Sequence, residues 1–234
     1  MDTLTVSEVF GPTVQGEGPS AGQRAMFLRL GRCNLTCRWC DTAYTWDWRG
    51  LNGVAYDPRL ELHDETLSTL SSQLMHSGVE LVVVTGGEPL LQQRTLARLA
   101  RALVLGGYRV EVETNGTLAP GDELVEYVEL FVVSPKLAHA GMMPSQRIRP
   151  DVLRRFEDVG GAVLKFVVTT PQDLDECDRV RRHAPELPAW VMPEGRDAKT
   201  LDVRMRLLAG EAIRRGYHVS DRLHVRLWGD QRAH

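Results

Sequence analysis

The chain of 234 residues has no apolar run approaching the ~18 residues that a membrane span requires. Its opening segment, MDTLTVSEVF, lacks the basic start and the apolar core of a secretory signal. These absences exclude a membrane partner and point to the cytoplasm. Aromatic residues are scarce, at 6%. The net charge of −3 is small, and the arginines around Arg154, Arg181 and Arg214 are scattered along amphipathic stretches, so nucleic acid is not an expected partner. There are only four cysteines, yet Cys33, Cys37 and Cys40 crowd into one short segment. In a reducing compartment such crowding points to a metal rather than to disulfides.

What the chain does have is a core: 43% of its residues are hydrophobic, enough for one α/β domain over 1–234. Short β-branched runs alternate with longer amphipathic ones. Strands are expected at Leu4–Phe10, Ala25–Leu30, Glu80–Thr85, Arg109–Glu113, Leu130–Val133, Ala162–Val168, Ala189–Met192 and His224–Trp228. Helices are expected at Thr66–His76, Leu91–Leu105, Val152–Asp158, Gln172–His183 and Ala198–Arg215. The runs LVVV, FVV and VLKFVV read as strands buried on both faces, which favours a parallel sheet. The polar motifs at Cys33, Gly86–Glu88, Thr114–Asn115 and Ser134–Lys136 each follow a strand, where parallel α/β folds build their active face. A full eight-fold barrel takes roughly 250 residues. This chain is shorter and spends a cysteine loop at 31–48 and an insert at about 49–65 outside the repeat. A partial (β/α) barrel with mainly parallel strands is the expected architecture.

The cysteines read C-x₃-C-x₂-C, with Trp39 before the last one. Three thiolates on one tight loop suit three irons of a cubane and leave the fourth iron open, whereas electron-transfer clusters usually have four cysteines. Structural zinc prefers paired cysteines separated by a longer span, but the triplet alone leaves zinc open. Cys177 lies in a helical run and reads as a packed thiol.

The triplet followed by Gly86-Gly87-Glu88-Pro89 resembles the radical S-adenosylmethionine superfamily. Further segments resemble its 7-carboxy-7-deazaguanine synthase family: Pro12-Thr-Val14-Gln15-Gly16-Glu17-Gly18, Arg29, Cys40-Asp41-Thr42, Thr85, Glu113-Thr-Asn115 and Ser134-Pro135-Lys136. The resemblance implies a modified partial barrel of about six strands, a homodimer, and ring contraction of 6-carboxy-5,6,7,8-tetrahydropterin to 7-carboxy-7-deazaguanine with loss of ammonia, feeding queuosine or other deazapurines. It implies a 4Fe–4S cluster on Cys33, Cys37 and Cys40, reduced by flavodoxin or ferredoxin, and magnesium on Thr42. It assigns Trp39, Gly86, Gly87, Glu88, Asn115, Ser134, Pro135 and Lys136 to S-adenosylmethionine. Glycines there let backbone approach the ligand, and the Glu88 carboxylate suits an ammonium group. Met192-Pro193-Glu194-Gly195 stands where the family places an adenosine-contacting segment. Val14, Gln15, Gly16, Glu17, Arg29, Thr85 and Glu113 are assigned to the pterin, with Arg29 on its carboxylate. At the C-terminus, Trp228 stands where some members carry a substrate-contacting histidine. His224, sharing a strand face with Arg222 and Trp228, is the alternative, and His234 is placed on the substrate side too. The rivals are a glycyl-radical activating enzyme, which needs neither Arg29 nor Thr42, and a non-catalytic zinc module.

Replacing Cys33, Cys37 or Cys40 by alanine is expected to abolish an iron content of about four per chain, whereas Cys177→Ala keeps it. Iron and sulfide analysis of anaerobically prepared protein checks this; a full complement in Cys37→Ala would refute the ligand set.

Overall fold

In the computed structural model, which describes residues 2–234, the alternating runs become nine strands: β1 (Thr3–Val14), β2 (Arg24–Leu30), β3 (His63–Thr66), β4 (Leu81–Gly86), β5 (Arg109–Thr114), β6 (Leu130–Val133), β7 (Ala162–Val168), β8 (Ala189–Pro193) and β9 (His218–Val219). They form one sheet in the order β3-β1-β2-β4-β5-β6-β7-β8-β9. From β2 to β9 all neighbours are parallel, while β1 and β3 add an antiparallel edge. Apart from the two-residue β9, the parallel part has the expected six strands.

A period of two sorts the strands' side chains between two environments. On the outer face Leu28, Val82, Val84, Val112 and Phe166 pack with Leu96, Leu99, Leu103 and Phe156, which belong to the helices Gln93–Leu105 and Pro150–Val159. On the inner face Phe10, Ala25, Phe27, Leu81 and Val83 form a second, smaller cluster, with the Phe10 and Phe27 rings stacked at 4.9 Å. Farther along the same inner face the residues turn polar. Thr85 follows Val83 on β4, Glu113 lies on β5, and Lys165 lies midway along β7, all seven of whose residues are buried. The barrel is therefore mostly apolar at its base, where Glu111 is buried beside Val83 and accepts from the Ser20 hydroxyl, and charged toward the strands' C-terminal ends.

The insert holds the helix Pro58–Glu61, capped by Asp57 accepting from the Arg59 N–H at 3.0 Å, and leads into β3, which pairs with β1. One expectation is corrected. The segment His224–Trp228 is not a strand but lies in the helix Leu223–Trp228. Leu223, Val225 and Leu227 alternate as residues of a strand would, yet of the three only Val225 is buried. The Val225 and Arg226 amides donate to the Arg222 carbonyl, which turns the backbone, and Arg226 reaches back to Asp221. Arg222, His224 and Trp228 thus do not share a strand face.

The glycine turn after β4 packs against the chain leaving β2. The Gly87 N–H donates to the Leu30 carbonyl at 3.0 Å, and the Glu88 N–H to the Arg32 carbonyl at 2.8 Å. Gly86 has φ +137°, and a Cβ on Gly87 would lie 1.9 Å from the Arg32 carbonyl oxygen. No side chain fits there without moving the backbone that launches the cysteine loop. Gly87→Ala is expected to cost about 1–3 kcal/mol, lowering the melting midpoint by roughly 2–12 °C. Calorimetry checks it; an unchanged midpoint would show that the loop yields freely.

Candidate active site

The cysteine loop leaves β2 through Arg32, whose φ of +73° bends the chain toward the sheet's C-terminal rim. Side chains from distant segments brace the loop. Asn52 donates to the Cys37 carbonyl and Arg196 to the Cys40 carbonyl, both at 2.8 Å. Two N–H groups aim at sulfur: Leu35 N–H donates to Cys33 Sγ at 3.4 Å, and Trp46 Nε1–H to Cys40 Sγ at 3.3 Å. The Thr42 hydroxyl lies 3.6 Å from Cys40 Sγ. Burial pushes the Cys33 thiol up to about 12 and Cys37 up to about 11, and raises Cys40 as well. Ionising all three therefore needs positive charge brought by a bound group. Three thiols with N–H···S donors fit an iron–sulfur cluster, whose properties such hydrogen bonds tune. Among the described residues no group of three His, Cys, Asp or Glu side chains is arranged to hold a single metal ion. Cys177 is buried in the outer core, as expected of a packed thiol.

The thiols face a cavity of about 210 Å³. Trp39, Gly86, Gly87, Asn115, Ser134, Lys136, Met192 and Glu194 line one part of it. Lys136 Nζ donates to Ser134 Oγ at 2.9 Å and sits 5.7 Å from the centre of the Trp39 ring, whose Nε1 is buried and has no partner among the described residues. Glu88 does not face this cavity. Its carboxylate is fully buried and accepts from the Leu90 N–H (2.9 Å), the Thr114 hydroxyl (2.8 Å) and the Asn115 N–H (2.7 Å). Burial raises its pKa while those three bonds lower it. Glu88 therefore clamps the glycine turn to the end of β5. Pro135, Pro193 and Gly195 also stand back from the cavity; the Gly195 carbonyl accepts from Arg222 at 2.7 Å.

Val14, Gln15, Gly16, Glu17, Arg29, Thr42, Thr85, Glu113, His224 and the C-terminal His234 line the rest. Trp228 does not line it, but its ring stacks on His234 at 5.5 Å. Arg29 Nε donates to Glu8 Oε2 at 2.8 Å, the Tyr44 hydroxyl donates to the same oxygen at 3.1 Å, and the guanidinium lies 5.3 Å from the centre of the Phe10 ring.

Two cations that the motifs did not single out, Lys165 and Arg222, organise the floor. Lys165 Nζ meets Glu17 Oε2 at 2.5 Å and Glu113 Oε1 at 3.2 Å. Arg222 meets Glu17 Oε1 at 3.0 Å and also pairs with Asp41. Burial alone would push Glu17 up, but Lys165 and Arg222 outweigh it and hold the carboxyl well below the usual carboxylate range. Both oxygens of Glu17 are thus engaged within the protein. Burial lowers the His224 pKa, favouring the neutral ring. The sequence did carry a signal for Lys165: a lysine inside VLKFVV, a strand buried on both faces, must be paired in the interior. Arg222 carried none, because its partners lie 205 and 181 residues away.

A model of the Radical SAM superfamily matches residues 28–137. A 7-carboxy-7-deazaguanine synthase from Pyrobaculum aerophilum is 36% identical over 234 residues, covering 98% of this chain and 97% of that protein. One from Rhodopirellula baltica is 32% identical over 247 residues, covering 99% and 89%. The crystal structure of QueE from Escherichia coli shares the fold, with a TM-score of 0.73, 24% identity and 95% coverage of each chain.

Removing one partner of a buried ion pair strands the other charge, so Arg222→Leu is expected to cost about 3–5 kcal/mol in urea denaturation. Adding Glu17→Gln should recover part of that loss. The lowered Glu17 pKa gives stability that is present above the unfolded carboxyl value of about 4.3 and lost as pH falls toward the folded value. The acid-side slope should therefore be shallower in Arg222→Leu. Additive costs and an unchanged slope would show that the pair is not coupled.

Proposed function

The chain belongs to the 7-carboxy-7-deazaguanine synthase family of the radical S-adenosylmethionine superfamily, and from this membership together with the site we propose how its residues divide the work of contracting 6-carboxy-5,6,7,8-tetrahydropterin to 7-carboxy-7-deazaguanine with loss of ammonia. The carrying observation is that the three clustered thiols, the glycine turn and a floor of paired charges open on one cavity. Cys33, Cys37 and Cys40 would hold a 4Fe–4S cluster through three irons. The cluster and S-adenosylmethionine supply, when bound, the 5′-deoxyadenosyl radical that starts the reaction.

The protein's own part is placement. Trp39, Gly86, Gly87, Asn115, Ser134, Lys136, Met192 and Glu194 form the S-adenosylmethionine side of the cavity, with Lys136 supplying positive charge for a carboxylate. On the substrate side, Glu8 takes up Arg29 Nε and Phe10 supports the guanidinium plane, leaving its Nη edge to grip the pterin carboxylate in bidentate fashion. Among the described residues the Thr42 hydroxyl meets only sulfur, at 3.6 Å, and would serve as one oxygen of a magnesium shell completed by substrate and water. Neutral His224 can donate or accept one hydrogen bond to the ring. The apolar base beneath, Phe27 and Val83, excludes water from the reacting face. A flavodoxin or ferredoxin as reductant, a homodimer as the assembly, a cytoplasmic setting and delivery of product to queuosine or another deazapurine complete the reading. Among the described residues no helix is long and apolar enough to cross a membrane.

Anaerobic incubation of the reconstituted enzyme with the carboxytetrahydropterin, S-adenosylmethionine, dithionite and magnesium should yield 7-carboxy-7-deazaguanine by mass spectrometry. S-adenosylmethionine cleavage without that product would defeat the reading. Thr42→Ala should lose most of the magnesium stimulation while keeping its iron, and Thr42→Ser should retain it; equal stimulation in wild type and Thr42→Ala would remove the metal role.

A further inference from the structure

Lys165 is a residue of the cavity floor that no motif assigns. It stands on the inner face of β7 with its side chain 5% exposed. A buried ammonium is tolerated only when paired, and Glu17 and Glu113 provide the pairing. Each Glu17 oxygen is held by a cation, one by Lys165 and the other by Arg222. In the Glu113 carboxylate, among the described residues, one oxygen is held by a cation and the other is not. Its Oε1 accepts from Lys165 at 3.2 Å and from Gln15 Nε2 at 3.4 Å, and its Oε2 accepts from the Thr85 hydroxyl at 2.9 Å. A carboxylate accepts about four hydrogen bonds, so Oε2 keeps one site. An ammonium has three N–H groups, and among the described residues only Glu17 and Glu113 take bonds from this one. The floor therefore offers a cationic donor directly beside an anionic acceptor, and both line the cavity.

Few ring edges fit that pair. The ring must present an acceptor next to an N–H donor, as the 4-oxo group and adjoining ring N–H of a 2-amino-4-oxopyrimidine do. Resting on the pterin reading of this site, we infer that Lys165 is a specificity residue: its remaining N–H donates to the 4-oxo group, while Glu113, held in place by Lys165, accepts from the adjoining ring N–H. Glu17 acts one step back, aiming the lysine. A 4-amino ring reverses both contacts, setting a donor against the ammonium and a lone pair against the carboxylate, and such reversals are penalised more heavily than a missing contact.

The test is calorimetric titration of the cluster-loaded enzyme, with S-adenosylmethionine present and no reductant, by 6-carboxypterin and by 2,4-diaminopteridine-6-carboxylate. Buffer near neutral pH keeps the diamino ring uncharged and leaves the ring N–H of the 4-oxo compound in place. Wild type should favour the 4-oxo compound by about 10–100-fold. Lys165→Met should weaken the 4-oxo compound by a similar factor and leave the diamino compound nearly unchanged, so that the preference collapses. Because Lys165→Met leaves two carboxylates facing each other, Lys165→Met/Glu17→Gln, which restores the charge balance, is measured beside it, with circular dichroism and iron content as folding controls. The preference should be lost in the double variant too. A wild-type preference retained in either variant, or no preference in wild type, overturns the role of Lys165 and leaves the pterin reading standing. Failure of wild type to bind either ring overturns both.

Discussion

Charge pairing inside the barrel mouth is the constraint on which the rest depends. The sheet is open, and among the described residues its edge strands β3 and β9 do not pair with each other. The turn between β1 and β2 crosses toward the far side instead. The Leu223 N–H donates to the Gly16 carbonyl at 2.9 Å, and the Gly18 N–H to Ser220 Oγ at 2.7 Å. Between these backbone contacts Glu17 takes a bond from Lys165 on β7 and another from Arg222 beyond β9. Charges removed from water are held only in good geometry with their partners, so this network fixes the relative position of segments that no strand pairing joins. Closure of the mouth and shaping of the floor are the same set of contacts.

A second set of contacts positions the cysteine loop. The inward-turned Glu88 carboxylate joins the glycine turn to the end of β5, and the Gly87 backbone lies against the Arg32 carbonyl. Arg196 carries the loop's far end across to the segment after β8. The thiols are presented by backbone held at both ends, with a buried acid doing structural work where a ligand contact was expected. Rigidity of this kind suits a site whose chemistry depends on excluding water and on fixed distances.

Much of this was legible in the sequence where local pattern carries the information. The continuous apolar runs gave the parallel strands, and the C-x₃-C-x₂-C spacing with the motifs after β2, β4, β5 and β6 located the active rim, because a strand's C-terminal end is fixed by the strand itself. Two parts were not legible, for different reasons. Leu223-His-Val-Arg-Leu-Trp228 alternates like a strand, and only the bonds to the Arg222 carbonyl and the ion pair of Arg226 with Asp221 make it helical. Glu88 sits in a ligand motif, yet the nearby ends of β4 and β5 turn it inward.

The sequence by itself thus determined the strand periodicity, the cysteine triplet and the order of polar motifs along the rim, since each depends on neighbours a few residues apart. Only the tertiary structure decided which charges meet. Lys165 and Glu17 are 148 residues apart and Arg222 and Asp41 are 181 apart. A buried cation's need for a counter-ion can be read from one strand, but which carboxylate answers it depends on how the whole sheet curls.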